Sequence, residues 1–274
     1  MTKLSSTWGG APAYARGVRA LVETVSVDGM PVRLRTMAPA GRRRDALAPT
    51  IVLVHGIGMS HRSFARSQRV LARKHRTVAV DLPGFGGLPA VGRRLEVPEL
   101  GDVVMRAIRA VGVRESVLVG QSMGSQVVVA AALHHPDEVL AVVLVGPVVD
   151  DRHRSLLWLA GALGRDGLVE DARMNVVLLT DYFRSLRQYV RELRPMLRWP
   201  MADAVGSLRV PVLVVRGTRD PIARSAWAGR LARAARDGAM VELYGAHHVQ
   251  EHQPGAFAEL VDEFRRAQSL QATR

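Results

Sequence analysis

A chain of 274 residues with 48% hydrophobic content can bury one large α/β core with an insertion. It contains no cysteine, which excludes a disulfide framework, a Cys-based zinc site and a cysteine nucleophile. Its net charge of +13, from 38 Lys+Arg against 25 Asp+Glu, is carried by dispersed arginines, and aromatic residues make up only 5%, so no base-stacking platform and no specific nucleic-acid partner is expected. No apolar run reaches the roughly 18 to 20 residues of a membrane span. The first residues, MTKLSSTWGGAPAYARG, lack the apolar stretch of a secretory signal, so a soluble cytoplasmic protein is the expectation.

In chain order, residues 18–27 and 31–37 read as two extended segments joined at Asp28-Gly29, a dipeptide suited to a tight hairpin. An Arg-rich loop, AGRRRDALAP, follows. Apolar runs at 50–54, 77–80, 116–120, 139–145 and 211–215 are continuous, not alternating, as in strands buried on both faces of a parallel sheet. Helix-period segments lie between and after them at about 62–74, 97–111, 123–135, 223–236 and 255–268. Strand alternating with helix predicts a doubly wound, mostly parallel α/β sheet in a single domain. Residues 1–149 and 207–274 would form the core. The stretch 150–206 has helical patterns without a buried-strand run, which predicts a helical cap over a site. Within it Leu179, Phe183, Leu186, Val190 and Leu193 recur at spacings of three and four, the pattern of an amphipathic helix. The arginines at 62, 66, 69 and 73, and at 187, 191 and 194, suit solvated helix faces.

Gly120-Gln121-Ser122-Met123-Gly124 matches G-x-S-x-G, with an apolar run before it and a helical run after it. That context exposes a serine hydroxyl on a sharp turn and aims helix N–H groups at a reacting carbonyl. His55-Gly56-Ile57-Gly58, after the apolar run 51–54, can aim a further backbone N–H into the site. The expected oxyanion donors are the backbone N–H groups of Ile57 and Met123, and His55 is expected to orient the loop. A serine hydroxyl needs a base, and the base needs a carboxylate to fix its tautomer. Asp220, in RGTRDP after the run 212–215, is the expected acid. The base lies in the loop holding His247 and His248, with His247 favoured. His248, Glu251 and His252 have a helical metal-ligand spacing, but no second ligand cluster accompanies them, and neither a metal nor a cofactor is expected.

These motifs identify a family. HGIG at 55–58, DLPGFG at 81–86, GQSMGS at 120–125, RGTRDP at 216–221 and the His247 loop ending at Pro254 stand in one order. On them the chain resembles α/β-hydrolase-fold enzymes of the serine-nucleophile branch over about residues 18–268. The resemblance implies eight strands with a cap inserted after the sixth. It supports His247, since the family's base usually stands seven residues before the proline numbered 254 here. Ala246 stands where the family often has glycine before its base, and His252 where an acidic residue is common. Serine at 122 disfavours dehalogenase and epoxide hydrolase chemistry, which uses aspartate there.

The expected reaction is hydrolysis of an ester or related carbonyl of a small, largely apolar substrate through an acyl-enzyme. Trp158, Tyr182, Phe183 and Trp199 are the expected pocket residues. The same triad also serves C–C bond hydrolysis, lyase, perhydrolase or cofactor-free oxygenase chemistry. A non-enzymatic ligand-binding protein is the remaining alternative, against which stands the intact Ser, Asp and His order.

Overall fold

The computed structural model describes residues 4–5, 18–40, 49–152 and 155–271. The eight main strands are β1 (Val18–Val27), β2 (Met30–Pro39), β3 (Thr50–Val54), β4 (Thr77–Asp81), β5 (Ser116–Gln121), β6 (Val139–Val145), β7 (Val212–Gly217) and β8 (Gly238–Leu243). They lie in the order β1-β2-β4-β3-β5-β6-β7-β8, and the two-residue segment Leu4–Ser5 pairs on the outer edge of β1. β1 and β2 are antiparallel to each other, β2 is antiparallel to β4, and every later pair is parallel. The hairpin turns at Asp28 (φ 50°) and Gly29 (φ 80°), the left-handed pair that a two-residue type I′ connection requires. Most of the Arg-rich loop, residues 41–48, lies outside the described residues.

The continuous apolar runs are buried on both faces, one residue to each face in turn. Ile51 and Leu53 face a layer formed by α1 (Ala65–Leu71) and α9 (Pro254–Gln271), with Phe64, Leu71, Phe257 and Val261 among its core residues. Val52 and Val54 face the opposite layer, formed by α2 (Val97–Ala110), α3 (Met123–His134) and α7 (Ser225–Ala234). Parallel pairing aligns Val54 with Gly120, and Gly120 with Leu144. The carboxyl ends of β3, β5, β6 and β7 therefore open on one edge of the sheet, where open α/β folds place their ligands.

Three helices lie between β6 and β7: α4 (Leu156–Val169), α5 (Ala172–Arg198) and α6 (Met201–Gly206). Asp171 starts α5, its side chain accepting the N–H of Met174 at 2.7 Å. Polar residues tie α5 down. The Asp181 carboxylate accepts from Ser60 Oγ (2.5 Å) and from Arg62 (2.7 Å). The Gln188 and Glu192 side chains accept the N–H groups of Val91 (3.0 Å) and Leu95 (3.2 Å). Arg62 and Arg66, expected on a solvated face, instead reach the insertion at Asp181 and Asp171. Of the apolar stripe of α5, Leu179, Phe183, Leu186 and Val190 are exposed and Leu193 packs on the core, while Asp181, Ser185, Gln188 and Glu192 are buried. Among the described residues no helix is long and apolar enough to cross a membrane.

Candidate active site

β5 ends at Gln121 and α3 begins at Met123, leaving Ser122 alone at the turn with φ 55° and ψ −122°. A non-glycine residue adopts such a conformation only where its surroundings enforce it. Its N–H donates to the Val145 carbonyl at 2.9 Å, and Ser125 Oγ donates to the Gly120 carbonyl at 2.8 Å. The flanking glycines are demanded by contact: a Cβ on Gly120 would lie 2.2 Å from the Gly124 carbonyl oxygen, and one on Gly124 would lie 2.2 Å from that of Val54.

The β3 loop comes equally close, since a Cβ on Gly56 would meet Ser122 Cβ at 2.8 Å. His55 fixes this loop. Its Nδ1–H donates to the Gly56 carbonyl (2.7 Å) and its Nε2 accepts the N–H of Leu82 (3.1 Å). Burial pulls the His55 imidazole down and keeps it neutral, with both nitrogens engaged. Asp81, in the DLPGFG loop, is likewise spent on its surroundings, bound to Arg33 and His61. The backbone N–H of Ile57 and that of Met123, at the first turn of α3, have no acceptor among the described residues.

Asp220 sits on the loop after β7. Its Oδ1 accepts the N–H groups of Ile222 (2.8 Å) and Ala223 (2.9 Å), and its Oδ2 faces His247 Nδ1 at 2.8 Å. Burial works against the Asp220 charge, but His247 and the two N–H donors outweigh it and hold the carboxyl below its usual range. Buried Arg216 braces the loop from beneath, donating to the carbonyls of Ala223 (2.6 Å) and Asp220 (3.2 Å) and pairing with Glu242. Burial also disfavours the His247 imidazolium, yet the Asp220 charge and hydrogen bond prevail and raise His247 to about 9. With Nδ1 on Asp220, Nε2 is left buried without a partner. No hydrogen bond closes between it and Ser122, a contact that in ligand-free enzymes commonly tightens only with substrate.

The two adjacent histidines separate. His248 turns to Glu170, which accepts both its N–H and its Nδ1–H at 2.9 Å and meets His252 Nε2 at 2.6 Å. The Glu170 carboxyl is partly penalised by burial, but its two histidines hold it far below the usual carboxylate range. Glu251 points elsewhere, to the N–H of Arg66 (2.8 Å) and to Arg173 (3.0 Å), so the spacing of His248, Glu251 and His252 does not bring three ligands together. Asp166, Glu170 and His248 do converge, with both carboxylates already bound to backbone N–H groups of the histidine loop.

A narrow cavity joins these parts. Gly56, Ile57, Gln121, Ser122, His247 and His248 line it from the core, and Leu163, Tyr182, Tyr189 and Met196 from the insertion. The Gln121 amide is buried there with neither polar atom bonded to a described residue. Of the expected pocket residues, Tyr182 reaches the cavity and packs at a tilt against Tyr189, their ring centroids 5.3 Å apart. Phe183 does not: one residue further round the helix, it is 85% exposed. Trp199 packs against the main core instead of lining the cavity. The Trp158 side chain lies outside the described residues. Tyr189, Gln121, Asp166 and Glu170 were missed. Gln121 sits at a variable position of the serine motif, Tyr189 carried no signal, and Asp166 and Glu170 showed only as an acid pair four apart on a segment with no motif.

The family model of alpha/beta hydrolases matches residues 51–260, which span the serine turn, the acid loop and the histidine loop. The chain belongs to the alpha/beta hydrolase family. Pyrrolizixenacetamide deacetylase of Xenorhabdus hominickii is 27% identical over 244 residues, covering 80% of this chain and 92% of the relative. The fold is that of the enol-lactonase from Burkholderia xenovorans LB400, with TM-score 0.73, 22% identity and coverage of 88% and 98% of the two chains. The esterase RhEst1 from Rhodococcus sp. ECU1013 gives TM-score 0.72, 21% identity and coverage of 92% and 99%. Membership and these relatives make this alpha/beta hydrolase an enzyme of the hydrolase class.

Proposed function

We propose that the protein is a carboxylesterase-like serine hydrolase acting on an ester or related carbonyl of a small, largely apolar substrate. Ser122 is the nucleophile, His247 the base, Asp220 the acid, and the N–H groups of Ile57 and Met123 the oxyanion donors. Helices α4 to α6, within 150–206, serve as the cap. The observation that carries this reading is the 2.8 Å contact between Asp220 Oδ2 and His247 Nδ1, which leaves a buried, unpartnered Nε2 on the cavity that Ser122 also lines.

Ser122 Oγ attacks the carbonyl carbon while His247 Nε2 takes its proton and Asp220 stabilises the imidazolium. The carbonyl oxygen gains the negative charge and is met by the two free N–H groups. The tetrahedral adduct then collapses, and the leaving alkoxide departs with the proton from His247. Water attacks the acyl-enzyme with His247 again as base, releasing the acid and Ser122.

A fluorophosphonate probe tests the assignment. The wild type is expected to label and Ser122→Ala is not; an unlabelled folded wild type, or equal labelling of both, overturns it. A short-chain p-nitrophenyl ester panel then measures turnover.

A further inference from the structure

Helix α5 buries one mixed face, with Met174, Val177 and Met196 in the core, and leaves a second, apolar face in the open. The inner face carries its only acidic residues, Asp181 and Glu192, both buried. The outer face carries Val176, Leu179, Phe183, Leu186 and Val190, each between 56% and 85% exposed. At 100° per residue these five fall within about 80° of arc, a straight ridge about 21 Å long from first to last. Arg184, Arg187, Arg194 and Arg198 are exposed on about the next 80°. None of the four forms an ion pair among the described residues, and no exposed carboxylate on the helix offsets them. Contiguous apolar surface of this kind marks an interaction site.

The identity of what covers the ridge follows from its shape and charge. The outward face of one helix is convex, with no groove for partner side chains to enter. A second copy laid on it would bring two arginine flanks together, each on a chain of net charge +13. A nucleic acid would use the arginines but would have no use for aliphatic side chains. An anionic bilayer uses both: leucine and phenylalanine enter the boundary between headgroups and acyl chains, and arginines meet lipid phosphates. We infer that the outer face of α5 is a peripheral docking surface for an anionic phospholipid membrane. Leu163 on α4 and Tyr182, Tyr189 and Met196 on the same α5 line the cavity at Ser122, so docking would set that cavity close to the lipid surface. The inference does not depend on the chemistry at Ser122.

The test is co-sedimentation of the full chain with vesicles of phosphatidylcholine alone or mixed with phosphatidylglycerol. Wild type is expected to bind the mixed vesicles and to release as salt rises. Leu179→Ser/Phe183→Ser and Arg184→Gln/Arg187→Gln are each expected to weaken binding at least about tenfold. Leu21→Ser, which removes an exposed apolar residue on β1, is expected to leave binding unchanged. Circular-dichroism melts establish that all variants are folded. No binding of wild type to mixed vesicles, equal binding by the α5 variants, or an equal loss in Leu21→Ser overturns the proposal. So does a dimer in light scattering that Leu179→Ser/Phe183→Ser abolishes, since a second copy would then be the occupant. Fluorophosphonate labelling without lipid reports separately on Ser122.

Discussion

The Asp166 carboxylate accepts the backbone N–H of His247 at 3.0 Å, so the histidine loop is held from α4 as well as from the sheet. Four residues on, Glu170 does the same for His248. Asp166 is buried, and its charge adds to that of Asp220 in favouring the His247 imidazolium. Under the proposed mechanism His247 must be neutral to take the Ser122 proton, so kcat/KM should rise with pH through an acid limb set by His247. Asp166→Asn keeps an oxygen for the His247 N–H but removes the charge. Its acid limb is expected at lower pH than that of wild type, with turnover at high pH changed less than about tenfold. A pH–rate profile on a p-nitrophenyl ester checks this, and an unmoved limb would count against Asp166 acting on the base.

Gly146, just after β6, has φ +52°, and a Cβ there would lie 2.9 Å from both His247 Cε1 and Nδ1 and 3.2 Å from Asp220 Oδ2. Backbone and imidazole are too close for any side chain. Gly146→Ala is expected to displace the His247 ring and lower kcat/KM roughly 10- to 100-fold. It should also cost about 1–2 kcal/mol of stability from left-handed strain. Gly29→Ala is the control, because its φ is +80° with nothing within 4 Å of the added Cβ. It should lose stability and keep activity. Equal kcat/KM losses in both would mean that strain alone, not the imidazole contact, explains Gly146.

The sheet was legible because its signal is local. Val52 and Ile51 need only be apolar and adjacent in a short run to be buried on two faces, and the strands at 50–54 and 139–145 lie where the runs place them. Ser122 was legible because its motif is local: Gly120 approaches the Gly124 backbone within the turn itself, though Gly124 answers to the distant Val54 carbonyl. The orientation of α5 was not. Periodicity shows that Leu179 and Phe183 share a face, but not whether that face looks inward. The buried side instead packs Met174, Val177 and Met196 and meets loop N–H groups at Val91 and Leu95, contacts about a hundred residues away in sequence for the last two. Asp166 and Gly146 were illegible in the same way, since each gains its role only when the histidine loop is folded beside it.

His247 and His248 present a direct comparison. Their rings pack edge to face at 5.4 Å, but one meets Asp220 and the other Glu170. His247→Ala is expected to lower kcat by about 10⁴-fold or more, as loss of a triad base does. His248→Ala should leave activity within about tenfold of wild type, since Glu170 can still accept the backbone N–H at that position. Steady-state kinetics decides between them. Loss of turnover in the second variant alone would transfer the role of base to His248.

Glu192 makes a stability prediction that does not involve catalysis. Burial raises its carboxyl from an ordinary 4.5 to about 7, against the opposing hydrogen bonds from Gln188 and Leu95. The folded protein therefore holds a proton that the unfolded chain has released over most of that interval. Stability from this group is complete below about 4.5 and is lost as pH rises through about 7. Glu192→Gln resembles the protonated acid and keeps an oxygen for the Leu95 N–H, so it should remove this dependence. The variant is expected to gain about 2 kcal/mol over wild type near pH 8, and little near pH 4. Urea unfolding at the two pH values measures the difference. An equal gain at both would show that the amide improves packing, and that ionisation of the buried carboxyl contributes nothing.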